Sequence, residues 1–556
     1  MKNKFFKIIP LFGVISSILI VSCQKKIDSA YLNPNAAVVE PIETILPGVI
    51  GGFTSFYSAN GTGFGVQADD ILLGRYIQYW GSQTNKENYG MMGGTAGSDN
   101  TGAIWGSVYY AGGQNVNKII EWGTEQQKWD YVGVAWAIRA WGWLTLTNQY
   151  GDAILKQAFN TNLQQFLYDP QPDFYDSTRA ICFRALNFLS RTDGNVSAAN
   201  LAKGDAYFFK GDVNKWKKFV YGILARSYND LSNKDIYKSG NYGDSVIKYC
   251  DLAMTTNDDN ALATFQGGNI SAVNNYFGPF RGNVGTIRQG AYIADLMSGR
   301  NDSAFTGVMD PRAPYLLREN ANGEYRGFNP WNGTSGLSTA DYPQNFWGYT
   351  ANPAATTAPN PDNSRYVFQN TSPWPMMTAS EMQFIKAEAA FHKGDQATAL
   401  AAYTNAISLN FDMLTTTYNT NIPDSMQITP AKKAAYLSNP AVVPLNDGLL
   451  TLSQIMLQKY IALYGWGTHQ TWVDMRKYHY IDVDPSTTTS PTGLHQVYAS
   501  FTPPSGDFLN AGNNGKFVYR CRPRYNSEYL YNVPELTRIG AENLDYNTYE
   551  MWFSQK

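Results

Sequence analysis

Four histidines, His392, His469, His479 and His495, are the only imidazoles in the chain, and none stands in a His-Glu-x-x-His or zinc-type spacing. His469 and His479 are ten residues apart, roughly 80° around a helix, so they read as flanking a packed helix around Trp472. Asp69-Asp70 and Asp258-Asp259 are adjacent acid pairs that invite glycoside hydrolysis. That reaction needs two carboxylates on opposite sides of one bond, which neighbours in sequence do not supply unaided; Asp258-Asp259 lies in a polar turn and reads as solvated. Neither Gly-x-Ser-x-Gly nor Gly-x-x-x-x-Gly-Lys occurs, so no nucleophile or phosphate cradle is signalled. Asp507 and the stretch Asn510 to Gly515 are rich in oxygen ligands but lack the spaced Ca²⁺ loop. No cofactor is expected, and a structural calcium there is the one metal the sequence leaves open.

Recognition is the chemistry better supported by residue type. One face of a pyranose ring is a C–H patch that stacks on Trp or Tyr, while its hydroxyls bond to amides, carboxylates and guanidinium groups. Trp80, Gln83, Asn85 and Tyr89 place two rings among amides, and Trp105 follows in a glycine-rich stretch. Arg326, Trp331, Asn332, Tyr342 and Trp347 repeat the pattern far downstream. These ten are the candidate ligand-binding residues, because large rings on loops mark interaction sites. Trp136, Trp141, Trp143, Trp216 and Trp472 fall in helical blocks and read as core.

The composition agrees with recognition. The chain has 14 Trp, 38 Tyr and 28 Phe, 80 rings, against 43 Lys+Arg and 45 Asp+Glu, with charged residues at 16 %. That share is low beside about 25 % in ordinary soluble domains. A net charge of −2 without a basic run excludes a nucleic-acid surface, which needs clustered cations. At 556 residues one compact core is not expected.

Lys2, Lys4 and Lys7 precede an apolar run from Ile8 to Val21, followed by Ser22 and Cys23, the layout of a secretory signal. Ile20-Val21-Ser22-Cys23 resembles a bacterial lipobox, which makes Cys23 the lipidation site and residues 1–22 the signal peptide. Cys182, Cys250 and Cys521 remain, an odd set that closes no disulfide framework and reads as buried small apolar residues. Past the signal no apolar run is long enough to cross a membrane.

Residues 23–47 read as a tether broken by Pro34 and Pro41. Residues 48–265 form the first part of a helical scaffold, with a Gly/aromatic loop at 81–113. Within it, Trp136, Arg139, Ala140, Trp143 and Thr147 define a helix face that ends at Gly151-Asp152. Further helices are expected at 178–189, 213–231 and 244–254. Residues 266–376 hold ten of the 26 prolines and are expected to fold as an inserted lobe of loops, short helices and a few strands. Residues 377–556 complete the scaffold. In it, Ala387-Glu388-Ala389-Ala390-Phe391, the turn Gly394-Asp395, and the stripe Ala399, Leu400, Tyr403, Ala406 and Ile407 make a tetratricopeptide-type hairpin, which must stack on others to bury both faces. The fold class is therefore mainly α, a scaffold of helical pairs with a loop-rich lobe.

Ordered segments of the chain resemble the SusD/RagB family of outer-membrane nutrient-binding lipoproteins, in its SusD-like branch. They are Arg139-Ala140 with Tyr150-Gly151-Asp152; Tyr175-Asp176-Ser177; Lys215 to Phe219 followed by Leu224-Ala225-Arg226; Asp310-Pro311-Arg312; Gln383-Phe384-Ile385 with Ala387 to Ala390; Gln458-Lys459-Tyr460; Trp472 with Arg476-Lys477; and Arg524 to Glu528. In the last, Asn526 stands where the family has proline, so that turn is expected to differ. The resemblance implies four tetratricopeptide-like pairs and a ligand site on the lobe. It also implies a non-catalytic protein on the exterior of the outer membrane that captures oligosaccharide and delivers it to a SusC-like TonB-dependent transporter. A surface glycoside hydrolase and a peptide-binding tetratricopeptide-type module are the alternatives.

Overall fold

The computed structural model describes residues 40–54, 66–94 and 97–556. The signal, Cys23 and residues 24–39 of the tether lie outside the described residues. Ile42–Lys556 is one compact unit, and its described residues form eighteen α-helices and six short strands. None of those helices is long and apolar enough to cross a membrane.

Three antiparallel helical pairs make the row the sequence predicts: Trp129–Tyr150 with Gln171–Leu189, Val213–Asn229 with Tyr242–Leu252, and Ala379–Lys393 with Gln396–Thr417. Successive pairs also touch, through Gln171–Leu189 on Val213–Asn229 and Tyr242–Leu252 on Ala379–Lys393. The hairpin turn is built from Gly394, left-handed at φ +79°, and Asp395, whose carboxylate accepts the Thr398 N–H at 3.1 Å. Ala387, Ala389, Ala390, Ala399, Tyr403, Ala406 and Ile407 are fully buried, which is what small residues in a close helical approach should be. The fourth segment differs from a simple pair. Leu452–Ala462 packs on Ala379–Lys393, whereas Thr468–Lys477 packs on Val66–Tyr76 and Trp129–Tyr150, bringing the end of the row back to its start.

Several of the segments that carry the family resemblance turn out to be buried polar joints between these helices. Arg226 donates through Nε and Nη2 to the two Glu381 oxygens, at 2.7 and 2.8 Å. Lys477 meets Glu388 and Asp474, and Lys459 pairs with Asp474 at 2.7 Å. Asn229, Ser232 and Tyr478 donate to the same Glu388 carboxylate. Burial alone would push that carboxyl up, but the charges of Lys477 and Lys459 reverse the effect and hold it well below the usual carboxylate range. Arg312 donates to Asp310, Asn410 and Gln458. Each charge that leaves water is met by a partner from a different helix or turn, so the joints fix which helix lies beside which.

Two boundaries need correction. The first described helix, Ile42–Thr54, begins inside the stretch assigned to the tether and carries Pro47 within it. Its buried Ile42, Leu46, Val49, Ile50 and Phe53 form a helical stripe whose packing outweighs one missing N–H. The 81–113 loop begins in the Trp80–Ser82 strand and ends in helix: Ala103–Gly106 is an α-turn, Ser107–Ala111 a π-turn, and Gly113–Glu125 a full helix.

The inserted lobe is a folded body of short helices and strands, as expected. Ala261–Ala263 pairs with Trp374–Met377, so the chain leaves and rejoins the scaffold side by side. Within the lobe, Ile287–Gln289 pairs antiparallel with Trp80–Ser82, which stitches it to the upstream loop. Cys182, Cys250 and Cys521 are free and buried, their thiols pushed up by burial.

Candidate functional site

The Trp80–Ser82 strand delivers the chain into residues 83–90, which meet residues 329–334 of the lobe. Lys86 N–H donates to the Trp331 carbonyl at 2.8 Å, and Thr334 N–H to the Gln83 carbonyl at 3.4 Å. Two glycines let the backbones come this close. A Cβ on Gly90 would stand 2.0 Å from the Pro330 oxygen, and one on Gly333, at φ +55°, 2.6 Å from the Gln83 oxygen. Gln83 Nε2 reaches the Ala354 carbonyl at 3.0 Å, which adds the 349–355 loop. From the far end of the sequence, Lys86 Nζ lies 5.5 Å from the Phe508 ring centroid. Asn510 and Asn513 spend their amides on Asn88 and the Met92 carbonyl, so these oxygen-rich residues serve as a bridge between loops. Lys86, Met92 and Thr101 all hold left-handed φ, at +55°, +55° and +61°. Such strain costs about 1–3 kcal/mol per residue and persists only where the surroundings enforce it.

The two groups of residues picked out on sequence, far apart in the chain, are thus brought together, but most of the rings do not face outward. Trp80, Trp105 and Trp347 are fully buried, and Tyr89 nearly so. Trp80 donates to the Asp70 carbonyl at 2.9 Å and sits edge-on to Phe277, Phe346 and Phe368. Trp347 donates to the Phe277 carbonyl at 2.8 Å. Trp105 packs among Tyr109, Tyr150 and Tyr168. A ring without an accessible face cannot stack on a sugar, so these four are corrected to core. The physical reason differs by place: Trp80 and Trp347 fill the interior of a lobe with little regular structure, whereas Trp105 fills the gap between scaffold helices. Trp331 keeps 9 % exposure. Gln83, Asn332 and Tyr342 are half-buried and Asn85 is exposed, so these five form the reachable part of the predicted set. Arg326, half-buried, is paired with Glu324 at 3.0 Å.

Sequence reasoning missed Tyr349, which at 66 % exposure is the most open ring of the lobe, and Lys86 and Phe508. Tyr349 stands two residues after Trp347, and the larger indole drew the assignment. Phe508 is joined to residue 86 by tertiary contact alone, for which no local spacing exists.

The acid pairs are spent elsewhere. Asp69 accepts the N–H groups of Ala103 and Ile104 and an amide hydrogen of Gln149, while Asp70 Oδ1 lies 2.9 Å from His469 Nδ1. His469 Nε2 faces Gln149 Oε1 at 2.8 Å. Since the Gln149 amide nitrogen is already turned toward Asp69, its oxygen accepts from His469, which places a proton on Nε2. Burial pushes the Asp70 carboxyl up to about 6. The adjoining cavity holds about 40 Å³, enough for water and too small for a sugar. Asp258 is exposed, as expected; Asp259 is not solvated but caps its own turn and pairs with Lys218 at 2.6 Å. His479 lies just past the end of the Thr468–Lys477 helix that carries Trp472, whereas His469 is in its first turn and not beside it as expected. Among the described residues no group of three or more His, Cys, Asp or Glu converges as metal ligands.

A row of helical pairs bearing a loop-rich lobe, with amides and a few open rings where the lobe meets the scaffold loop, is the architecture of a recognition protein. The family model described as SusD-like, starch-binding associating with outer membrane, matches residues 54–496, and the chain belongs to the SusD/RagB family. Solved structures agree in fold. A SusD homolog from Bacteroides fragilis NCTC 9343 superposes with TM-score 0.66 at 18 % identity, over 92 % of this chain and 99 % of that one. A SusD/RagB family protein from Bacteroides thetaiotaomicron VPI-5482 gives 0.60 at 21 %, over 93 % and 99 %. A chitin-binding SusD homolog from Flavobacterium johnsoniae gives 0.64 at 15 %, over 93 % and 99 %. No curated protein sequence matches the chain.

Proposed function

We propose that the protein captures oligosaccharide at the cell surface, on the face where residues 83–90 meet 329–342 and 349–355, and passes it unchanged to a SusC-like TonB-dependent transporter. The observation that carries this reading is the convergence of amides and accessible rings on rigid, glycine-tight loops, away from either acid pair. Family membership and the chitin-binding relative favour a glycan ligand. Lipid anchoring through Cys23 would hold this face outside the cell, and no cofactor is required. The test is binding of the purified chain to soluble starch and to chitooligosaccharides, together with analysis of the sugars afterwards. Retained affinity with unaltered sugar supports capture, and new reducing ends would establish the hydrolase alternative. Binding of peptide with no sugar in the panel would favour the peptide module. Cys23→Ala should release the protein from membranes washed with carbonate.

A further inference from the structure

Arg288 is wholly buried in the Ile287–Gln289 strand, yet among the described residues no carboxylate pairs with it. Its guanidinium carries five N–H groups, and each goes to a backbone carbonyl. Nε donates to Pro343 at 3.2 Å, Nη1 to Gly285 and Ile287 at 2.8 Å, and Nη2 to Pro353 at 2.9 Å and Ala355 at 2.8 Å. Burial brings its ionisation down to about 10, so it is charged at neutral pH, and the charge is met by carbonyl dipoles instead of an anion. Three separate stretches of chain, 285–287, 343 and 353–355, are thereby gathered on one side chain. Lysine cannot replace it, since an ammonium has three donors on a single atom and no planar fork.

The position matters as much as the bonds. Across the ladder Arg288 stands opposite Gly81, at the root of the 83–90 loop. The carbonyls it holds bracket the 343–355 loop, which bears Tyr349 and whose Ala354 carbonyl receives Gln83. Arg318 fixes the base of the same loop at the Phe346 and Asn363 carbonyls; beyond Tyr349, Arg288 takes the Pro353 carbonyl and shares Ala355 with Asn345 Nδ2 at 3.1 Å, while the Thr350 N–H donates to Gln344 Oε1 at 3.1 Å. We propose that Arg288 is the positioning residue of the glycan face: it holds the 343–355 loop, and with it Tyr349 and the Gln83 anchor, in the binding geometry before any sugar arrives. The inference rests on the reading of that face given above. Pre-ordering removes the entropy that a slack loop would lose on binding.

The test is Arg288→Lys in the full chain. Amide exchange across 343–356 should rise at least tenfold while the Ala379–Lys393 helix keeps its protection. Affinity for maltoheptaose or chitohexaose, whichever the unaltered protein binds, should fall about tenfold. Arg476→Lys is the control: that arginine is also buried, stacked 3.6 Å over Trp472, and its loss should lower the melting temperature without changing loop exchange or affinity. A nitroxide at Ala351→Cys, placed in a Cys23→Ala background, needs no Arg288 variant, and the thiols of Cys182, Cys250 and Cys521 are buried from the label. It should be equally immobilised with and without sugar. Unchanged exchange in Arg288→Lys, raised exchange with unchanged affinity, or a label that is mobile until sugar is added would each overturn the proposal. If the unaltered protein binds neither sugar, the reading of the face fails, and the exchange and label experiments still decide whether Arg288 fixes the loop.

Discussion

Lys477 Nζ lies 2.5 Å from Glu388 Oε1, and neither side chain has any exposed surface. The pair joins the Thr468–Lys477 helix, which closes the row, to the first helix of the most regular hairpin. An ion pair at this depth adds little net stability over a well-packed apolar pair, but breaking it strands a charge. Its value is registry, because only one docking of the two helices lets both charges leave water.

Glu388→Gln leaves Lys477 only the longer carboxylate contact to Asp474 at 3.3 Å, already shared with Lys459, and should therefore lower unfolding stability by about 3 kcal/mol. The double change Glu388→Leu with Lys477→Met should recover a good part of it. Urea unfolding of the three proteins checks this; a double variant no more stable than the single one would contradict the account.

Tyr349→Ala should weaken glycan binding by about 1–3 kcal/mol with the melting temperature little changed, since an exposed ring contributes mainly to the complex. Trp331 keeps 9 % exposure, so Trp331→Ala should weaken binding and lower the melting temperature together. Trp347→Ala should do the reverse of Tyr349→Ala and destabilise the fold by about 3–5 kcal/mol, because its indole fills the lobe interior. Affinity titration and thermal unfolding on the same samples separate the two kinds of ring.

His479 is held by Asp482 at 2.7 Å and by Glu550 at 3.0 Å. The Asp482 bond, partly opposed by burial and then aided by Glu550, raises its ionisation above the usual histidine value. A raised folded value means the contact's stabilisation is fully present below the unfolded value of about 6.5 and is lost as pH climbs through the folded one. Amides in 546–556 should exchange more slowly at pH 6 than at pH 8.5, after correction for intrinsic rates. His479→Gln should erase the difference.

Asn526 N–H donates to Asp99 Oδ1 at 2.8 Å, and its side-chain amide to Oδ2 at 2.7 Å, beside Arg524 on the same carboxylate. A proline at this position would have no N–H to give. Asn526→Pro should cost about 1–3 kcal/mol, read as earlier unfolding in guanidinium, and Asn526→Ala, which keeps the backbone donor, should cost less.

The helical part of the fold was legible because its signals are local. Gly394-Asp395 and the small-residue stripes sit within one or two turns of what they determine, and the motif residues appeared in order even though sequence did not show that several of them are joints. The site was legible only in outline. Two ring-and-amide groups were identified and do adjoin, yet which rings face solvent depends on packing among Phe277, Phe346 and Phe368, residues with no pattern relative to Trp80. The Ile42–Thr54 helix was missed because two prolines in one short stretch weigh heavily in local reasoning, while the surface the helix covers lies elsewhere in the chain.

The ladder between Ala261–Ala263 and Trp374–Met377 places the lobe's two ends next to one another. Residues 264–373 are thus mounted as a cassette. Loop-closure cost grows slowly with length, so the cassette can lengthen or shorten in its outer loops without shifting a helix, provided the rung against Trp80–Ser82 and the Arg312 joint to Asn410 and Gln458 are kept. On the glycan face proposed above, ligand preference would then diversify in one stretch of chain while the frame stays constant, and grafting such a stretch between relatives at these two points tests whether the lobe sets what is bound.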